Sequence, residues 1–104
     1  MKPRAYEVTL TPKQRAKLKA LANPISQRYL LGKAEPDDGF VSSIEAALEA
    51  KELIKVGLLQ SCTATPDDVA ATLQKRTGCH IVQVIGRVIV IYRRSKKHPT
   101  IKLD

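Results

Sequence analysis

The hydrophobic positions of this chain alternate between helical and strand periods, and a capping or turn residue marks each change. Thr11-Pro12-Lys13-Gln14 opens the first element. The threonine can accept from the backbone, the proline suits the first helical turn, and the glutamine completes a capping box. The helix runs to Ala22 with Leu18, Leu21, Ala16, Ala20 and Ala22 as its apolar stripe. It stops at Asn23-Pro24, because a residue before proline avoids the α region. Arg28 to Leu31 reads as a short strand ended by Gly32, and residues 32–39 as a loop. Asp37 is placed to cap a second helix, in which Val41, Ile44, Ala47 and Leu48 recur at spacings of three and four. Phe40 anchors its first turn and Lys51-Glu52 closes it.

From Leu53 to Leu59 the period changes to two. Ile54, Val56 and Leu58 share one face; Leu53, Lys55, Gly57 and Leu59 share the other. Thr65-Pro66-Asp67-Asp68 repeats the capping chemistry, with acids where a helix dipole favours them. The third helix carries Val69, Ala70 and Leu73 and ends at Gly78. His80 to Ile85 and Val88 to Arg93 are two strands joined by Gly86-Arg87, the glycine-first pattern of a type II′ hairpin. Val88 to Ile91 is apolar at every position, which predicts a central strand covered on both faces. Residues 95–104 read as a basic tail of lower order.

The order α-β-α-β-α-β-β predicts an α/β fold: one compact domain over residues 1–104, with helices packed on a four-stranded mixed sheet. A chain of 104 residues with 43% hydrophobic content suits one core. The longest apolar run, Val88 to Tyr92, is far short of the ~20 residues that span a membrane. Met1-Lys2-Pro3-Arg4 leads into polar sequence without an apolar leader, so a cytoplasmic location is expected and no membrane partner.

Charge changes the picture. Eighteen Lys and Arg against ten Asp and Glu give +8, and the excess is segregated. Residues 1–33 carry +7, residues 34–72 carry −6 and residues 73–104 carry +7. Two basic segments around an acidic one suggest that the fold brings both ends to one basic surface, which suits a phosphate-rich polymer.

Catalytic constellations are not readable. The serines lack a nucleophile-elbow setting, no glycine loop of a nucleotide site is present, and His80 and His98 have no neighbouring nucleophile. Asp37-Asp38 and Asp67-Asp68 read as helix caps. Cys62 and Cys79 form no ligand pattern and read as reduced, partly buried thiols. No metal, cofactor or small-molecule substrate is expected. Tyr6, Tyr29, Phe40 and Tyr92 are too dispersed for a stacking platform of adjacent exposed rings, so backbone and shape recognition is favoured over single-strand reading.

A series of blocks resembles a known family. Pro24, Leu30-Leu31-Gly32, Ile44-Glu45-Ala46-Ala47-Leu48, Glu52-Leu53-Ile54-Lys55-Val56, Thr77-Gly78, Val82 to Arg87 and Ile91-Tyr92-Arg93 stand in the order seen in the CRM domain, and the chain looks like the stand-alone bacterial YhbY type. The resemblance implies a fold similar to the C-terminal domain of bacterial translation initiation factor three. It also implies RNA binding linked to maturation of the large ribosomal subunit, through ribosomal RNA in precursor particles; a monomer that docks on structured RNA and cuts nothing is the expected form. The family carries a Gly-x-x-Gly loop after the first strand, comparable to loops that clamp nucleic-acid backbone. Here Gly32 and Lys33 match, but the fourth position is Glu35, a carboxylate that repels phosphate.

The candidate RNA contacts are therefore Lys13, Arg15, Lys17, Lys19 and Arg28 for electrostatic attraction, Gly32 and Lys33 as one contact edge, and Lys55, Gly86, Arg87, Arg93 and Arg94 as a second part of the surface. Two alternatives stand beside this reading: a protein-interaction module that uses the acidic middle on a ribosomal or assembly factor, and a small basic endoribonuclease with a histidine base.

Overall fold

Each predicted N-cap opens the helix that follows it. The computed structural model describes residues 9–103; Lys2, Arg4, Tyr6 and Asp104 lie outside the described residues. Thr11 and Gln14 exchange both bonds of the capping box at 3.1 Å, opening α1 (Pro12–Ala22). After β1 (Tyr29–Leu31), Asp37 accepts from Phe40 N–H at 2.8 Å and starts α2 (Asp38–Lys51). β2 (Leu53–Leu58) leads to Thr65, which accepts from Asp68 N–H and starts α3 (Pro66–Thr77). That helix ends on Gly78 at φ 75°, the left-handed conformation that glycine adopts without strain. β3 (His80–Ile85) and β4 (Val88–Tyr92) close the chain of elements, and Gly86 turns between them at φ 56°.

The sheet has the order β1-β2-β4-β3. β1 runs parallel to β2, and the β2–β4 and β3–β4 pairs are antiparallel. β4 is internal, as its unbroken apolar run requires. The period-two pattern of β2 divides the core. Ile54, Val56 and Leu58 face α2 and α3, where they meet Ile44, Leu48, Val69 and Leu73. Leu53 faces α1 beside Val82, Val90 and Tyr92, and meets Leu18 and Ala22. Each such fully buried aliphatic side chain stabilises the fold by roughly 1.5–3 kcal/mol.

α1 sits on the sheet along a narrower line than its apolar stripe suggests. Leu18 and Ala22 are buried, whereas Ala16 and Ala20 are exposed and Leu21 is 42% exposed. Arg15 supplies part of the missing attachment. The β3 register shifts between Ile81 and Gln83, a bulge, and the Arg15 guanidinium donates to the carbonyls of Ile81, at 2.9 Å, and Val82.

The larger departure concerns the segment after β4, which sequence reading treats as a tail of lower order. It has no helix or strand, yet two carboxylates hold it. Glu52 is 1% exposed and accepts from the N–H groups of Ser95 (2.8 Å), Thr100 (2.6 Å) and Ile101 (2.9 Å), and from the Thr100 hydroxyl. Glu49 accepts from the Ser95 hydroxyl and the N–H groups of Lys96 and Lys97. Ile101 and Leu103 then pack against the α1-side core. The charge pattern hides this arrangement because the anchors lie more than forty residues upstream.

Glu52 is also the one non-glycine residue with positive φ among the described residues, at 67°. Such a conformation costs of order 1–3 kcal/mol and persists only where the surroundings impose it. Here its N–H donates to Leu48 O and its carbonyl accepts from Arg93 N–H, so backbone and side chain are both fixed.

Burial alone would raise the Glu52 pKa, but the donors from Ser95, Thr100 and Ile101 outweigh it and hold the group at about 2. The N–H of Lys96, the Ser95 hydroxyl and the N–H of Lys97 hold Glu49 at about 2 as well. A depressed folded-state pKa contributes stability that is fully present above the unfolded value and is lost as pH falls towards the folded one. Stability is therefore expected to decline from about pH 5 downwards towards pH 2, with the Ser95, Thr100 and Ile101 amides losing exchange protection first. Glu52→Ala, which strands those donors, is expected to lower unfolding free energy at pH 7 by about 2–4 kcal/mol in urea titration. An unchanged midpoint would remove the anchor role.

Candidate nucleic-acid interface

Because α1 covers the sheet only partly, a strip of its α1-side face stays open. The strip forms a groove of about 130 Å³ between the C-terminal end of α1, the start of β1 and the strands β2, β3 and β4. Lys19, Arg28 and Lys55 all line it, with Gln83, and none of its lining residues is acidic. The end of α1, the connection before β1 and β2 thus deliver three cations to one concavity. Lys55 lies on the α1-side face by the β2 alternation, and its Nζ donates to Ile25 O at 2.8 Å. Arg28 reaches across β2 over Gly57: a Cβ on Gly57 would stand 3.2 Å from Leu30 Cδ2 and 3.4 Å from Arg28 Cδ. Glycine there makes room for the arginine stem.

The open face is also greasy. Leu30 is 57% exposed and Ile85 is 56% exposed. Ile85 pairs with Val88 directly before the Gly86-Arg87 turn, so the groove leads to the hairpin tip. The Gly32 end of β1 lies at the same end of the sheet. A Cβ on Gly32 would stand 3.1 Å from Ser61 Oγ, so the loop after β1 is pressed against the segment that follows β2.

The remaining candidate cations divide by what their donors do. Arg87 donates to the carbonyls of Leu58 (3.1 Å), Leu59 (2.7 Å) and Cys62 (2.9 Å), which ties the hairpin tip to the end of β2. Arg93 donates to Thr77 O at 2.8 Å and to Glu45 O, and pairs with the Glu45 carboxylate at 3.5 Å. Arg15 is occupied at the bulge. These three arginines are structural clips, drawn inward because a planar fork can satisfy several carbonyls at once. Lys33 is exposed but pairs with Asp37; that ammonium, and then Phe40 N–H, hold the Asp37 carboxyl below its ordinary range. Lys13 and Lys17 stand on another side of α1, beside Leu103, and Lys17 donates to Lys102 O. Arg94 joins Lys102 in a separate recess with His80 and Tyr92. Sequence reasoning did not single out Lys102 or Gln83: one lies in the segment read as a basic tail, the other inside the Val82 to Arg87 block without a charge of its own.

His80 is half-buried, bonded to Thr9 Oγ1 and stacked on Tyr92 at 6.0 Å, and burial lowers its pKa. Cys62 and Cys79 are free and buried, and burial pushes the Cys79 thiol up. Among the described residues no three His, Cys, Asp or Glu side chains gather where they could hold a metal ion.

The acidic helix starts, Asp37-Asp38 and Asp67-Asp68, belong to α2 and α3 on one face of the sheet, where Asp38 pairs with Arg76 at 2.6 Å and Asp37 with Lys33; the cationic groove, with no acid in its lining, lies on the other. With this geometry in place, the family model of the CRS1 / YhbY (CRM) domain matches residues 10–93. The chain belongs to the CRM domain family. Its relatives include a Bacillus subtilis protein named "Probable RNA-binding protein YqeI", 40% identical over 94 residues that cover 90% of this chain and 98% of the relative. A Haemophilus influenzae protein named "RNA-binding protein" is 34% identical over 89 residues, covering 86% and 90%. A Staphylococcus aureus protein solved in solution superimposes with a TM-score of 0.75 at 40% identity, covering 92% of this chain and all of that one. The CRM fold is thus the frame that carries the groove.

The division of the cations predicts a division of phenotypes. Arg15→Ala, Arg87→Ala and Arg93→Ala are each expected to lower Tm by several degrees, since about 1 kcal/mol shifts a domain of this size by roughly 4–8 °C. Lys19→Ala and Arg28→Ala are expected to leave Tm within about a degree. Differential scanning calorimetry of the five variants checks this, and equal shifts in both groups would refute the division.

Proposed function

We propose that this CRM protein binds structured RNA without cleaving it, docks on ribosomal RNA in large-subunit precursors, and assists their maturation as a cytoplasmic monomer. The convergence of Lys19, Arg28 and Lys55 on one acid-free groove carries this reading. A single helix face could present lysines for solubility alone. Three elements that aim cations into one concavity fit a polyanion, because each neutralised phosphate releases condensed counterions. The names of the relatives, which describe RNA-binding proteins, support the ligand class. The resemblance to YhbY-type proteins is the ground for choosing ribosomal RNA.

The mechanism is positioning. Phosphates lie along Lys19, Arg28 and Lys55, while Leu30 and Ile85 pack against ribose. Gly32-Lys33 and Gly86-Arg87 frame the end of the track. Lys33 leaves Asp37 for a phosphate at small cost, since an exposed ion pair is worth about 0–1 kcal/mol. The half-buried His80, set against Thr9 and Tyr92, plays a packing role.

The test is RNA affinity as a function of salt. Lys19→Ala/Arg28→Ala is expected to weaken binding to a structured ribosomal RNA fragment about tenfold or more. The slope of log K against log salt should fall by about one for each phosphate that is no longer neutralised. Unchanged affinity and slope would move the interface off the groove. Cross-linking in cells followed by sequencing of the attached RNA tests the target: enrichment of large-subunit precursor RNA is expected, and enrichment of messenger RNA alone would overturn that part.

A further inference from the structure

A second concavity, a cleft of about 350 Å³, adjoins the groove across the connection between α1 and β1. Its walls are largely aliphatic, with Leu21 of α1, Ile25 of the connection and Ile101 of the anchored C-terminal segment. Its polar equipment is concentrated at one place. Lys51 Nζ donates to Gln27 Oε1 at 2.7 Å and stands 5.9 Å from the centre of the Tyr29 ring. The two concavities are neighbours. Ile25 lines the cleft with its side chain, while its carbonyl accepts from Lys55 of the groove. Gln27 lines the cleft and the next residue, Arg28, lines the groove.

We propose that this cleft receives one unpaired nucleobase from the RNA whose backbone lies in the groove; the proposal rests on the RNA-binding reading above. A base is flat and apolar on its faces, which suits aliphatic walls and a tyrosine ring. Its edge carries donors and acceptors together, which suits a primary amide that offers both and an ammonium that donates. A purely aliphatic ligand would leave the Gln27 amide N–H and the other Lys51 protons unused, and a strongly charged one would desolvate against Leu21, Ile25 and Ile101. The volume is at the lower end of the usual range for small-molecule sites, roughly 300–1,000 Å³, and fits one base with its sugar. Proteins that recognise structured RNA read such splayed bases at bulges and loops, by stacking and edge contacts. The groove then fixes the backbone, and the cleft selects RNA in which one base is free to leave the stack.

Two hairpin RNAs of equal stem length test the proposal, one fully paired and one with a single bulged nucleotide, prepared with each of the four bases in turn. The intact protein is expected to bind at least one bulged hairpin about tenfold more tightly than the paired one, the scale of one stacked base. Leu21→Trp, which fills the cleft, and Gln27→Ala/Lys51→Ala, which strips its polar groups, are each expected to bring that ratio to about one. Affinity for the paired hairpin and Tm should stay unchanged in at least the second variant. Lys19→Ala/Arg28→Ala should weaken both hairpins alike and preserve the ratio. A ratio of one for all four bulges in the wild type, or a ratio that Gln27→Ala/Lys51→Ala leaves intact, overturns the cleft assignment while the groove stands. Failure of the wild type to bind either hairpin overturns the RNA reading and the cleft with it.

Discussion

Glu52 is the point at which the architecture is tied together. It ends α2, leads directly into β2, receives Arg93 N–H from the end of β4, and gathers three amides and a hydroxyl from the C-terminal segment. A buried carboxylate without such donors would cost several kcal/mol, and a positive φ adds its own strain. Both are sustained because so many groups converge on one residue. The consequence reaches the functional face. The anchored segment sets Ile101 as a wall of the cleft and places Lys102 O where Lys17 of α1 can donate to it. The helix that borders the groove is therefore braced from behind by a segment that has no regular structure.

Much of the fold was legible because local chemistry and global architecture agree. Thr11, Asp37 and Thr65 each cap the helix they precede, and Gly78 and Gly86 take the conformations their positions imply. The alternation in β2 assigned Ile54, Val56 and Leu58 to one core layer and Leu53 to the other. What could not be read was long-range. The apolar stripe of α1 overstates its buried face, because Leu21 turns to the cleft beside Ile25 and Ile101 and stays 42% exposed. The segment after β4 looks like a solvated basic run because its anchors, Glu49 and Glu52, are distant in sequence and present no pattern that points to it.

The candidate site shows the same divide in sharper form. A sequence displays charges without saying where their donors are satisfied. Arg15, Arg87 and Arg93 look like phosphate ligands by composition, yet each bonds to backbone carbonyls of its own chain. Lys19 and Lys55 look no different from other lysines, and only the partial coverage of the sheet by α1 brings them together with Arg28. The difference lies in how many donors are used up. Arg87 spends its planar fork on three carbonyls, whereas Lys55 gives one proton to Ile25 O and keeps two on a compact ammonium.

The groove differs from the opposite face of the sheet in carrying cations with no acid among them. The acids that start α2 and α3 are required there by helix capping, whatever else the protein does. Their charge is answered in part on the spot, Asp38 by Arg76 at 2.6 Å and Asp37 by Lys33, while the groove on the other face is lined by three cations and no acid. Glu35 is not among the residues that line that groove. It is exposed on the loop after β1, beside a recess that Asp68 of α3 also lines. Where the family resemblance implies a second glycine, this chain has a carboxylate, which repels phosphate. The track proposed for RNA therefore runs along Lys19, Arg28 and Lys55 and stops short of that carboxylate.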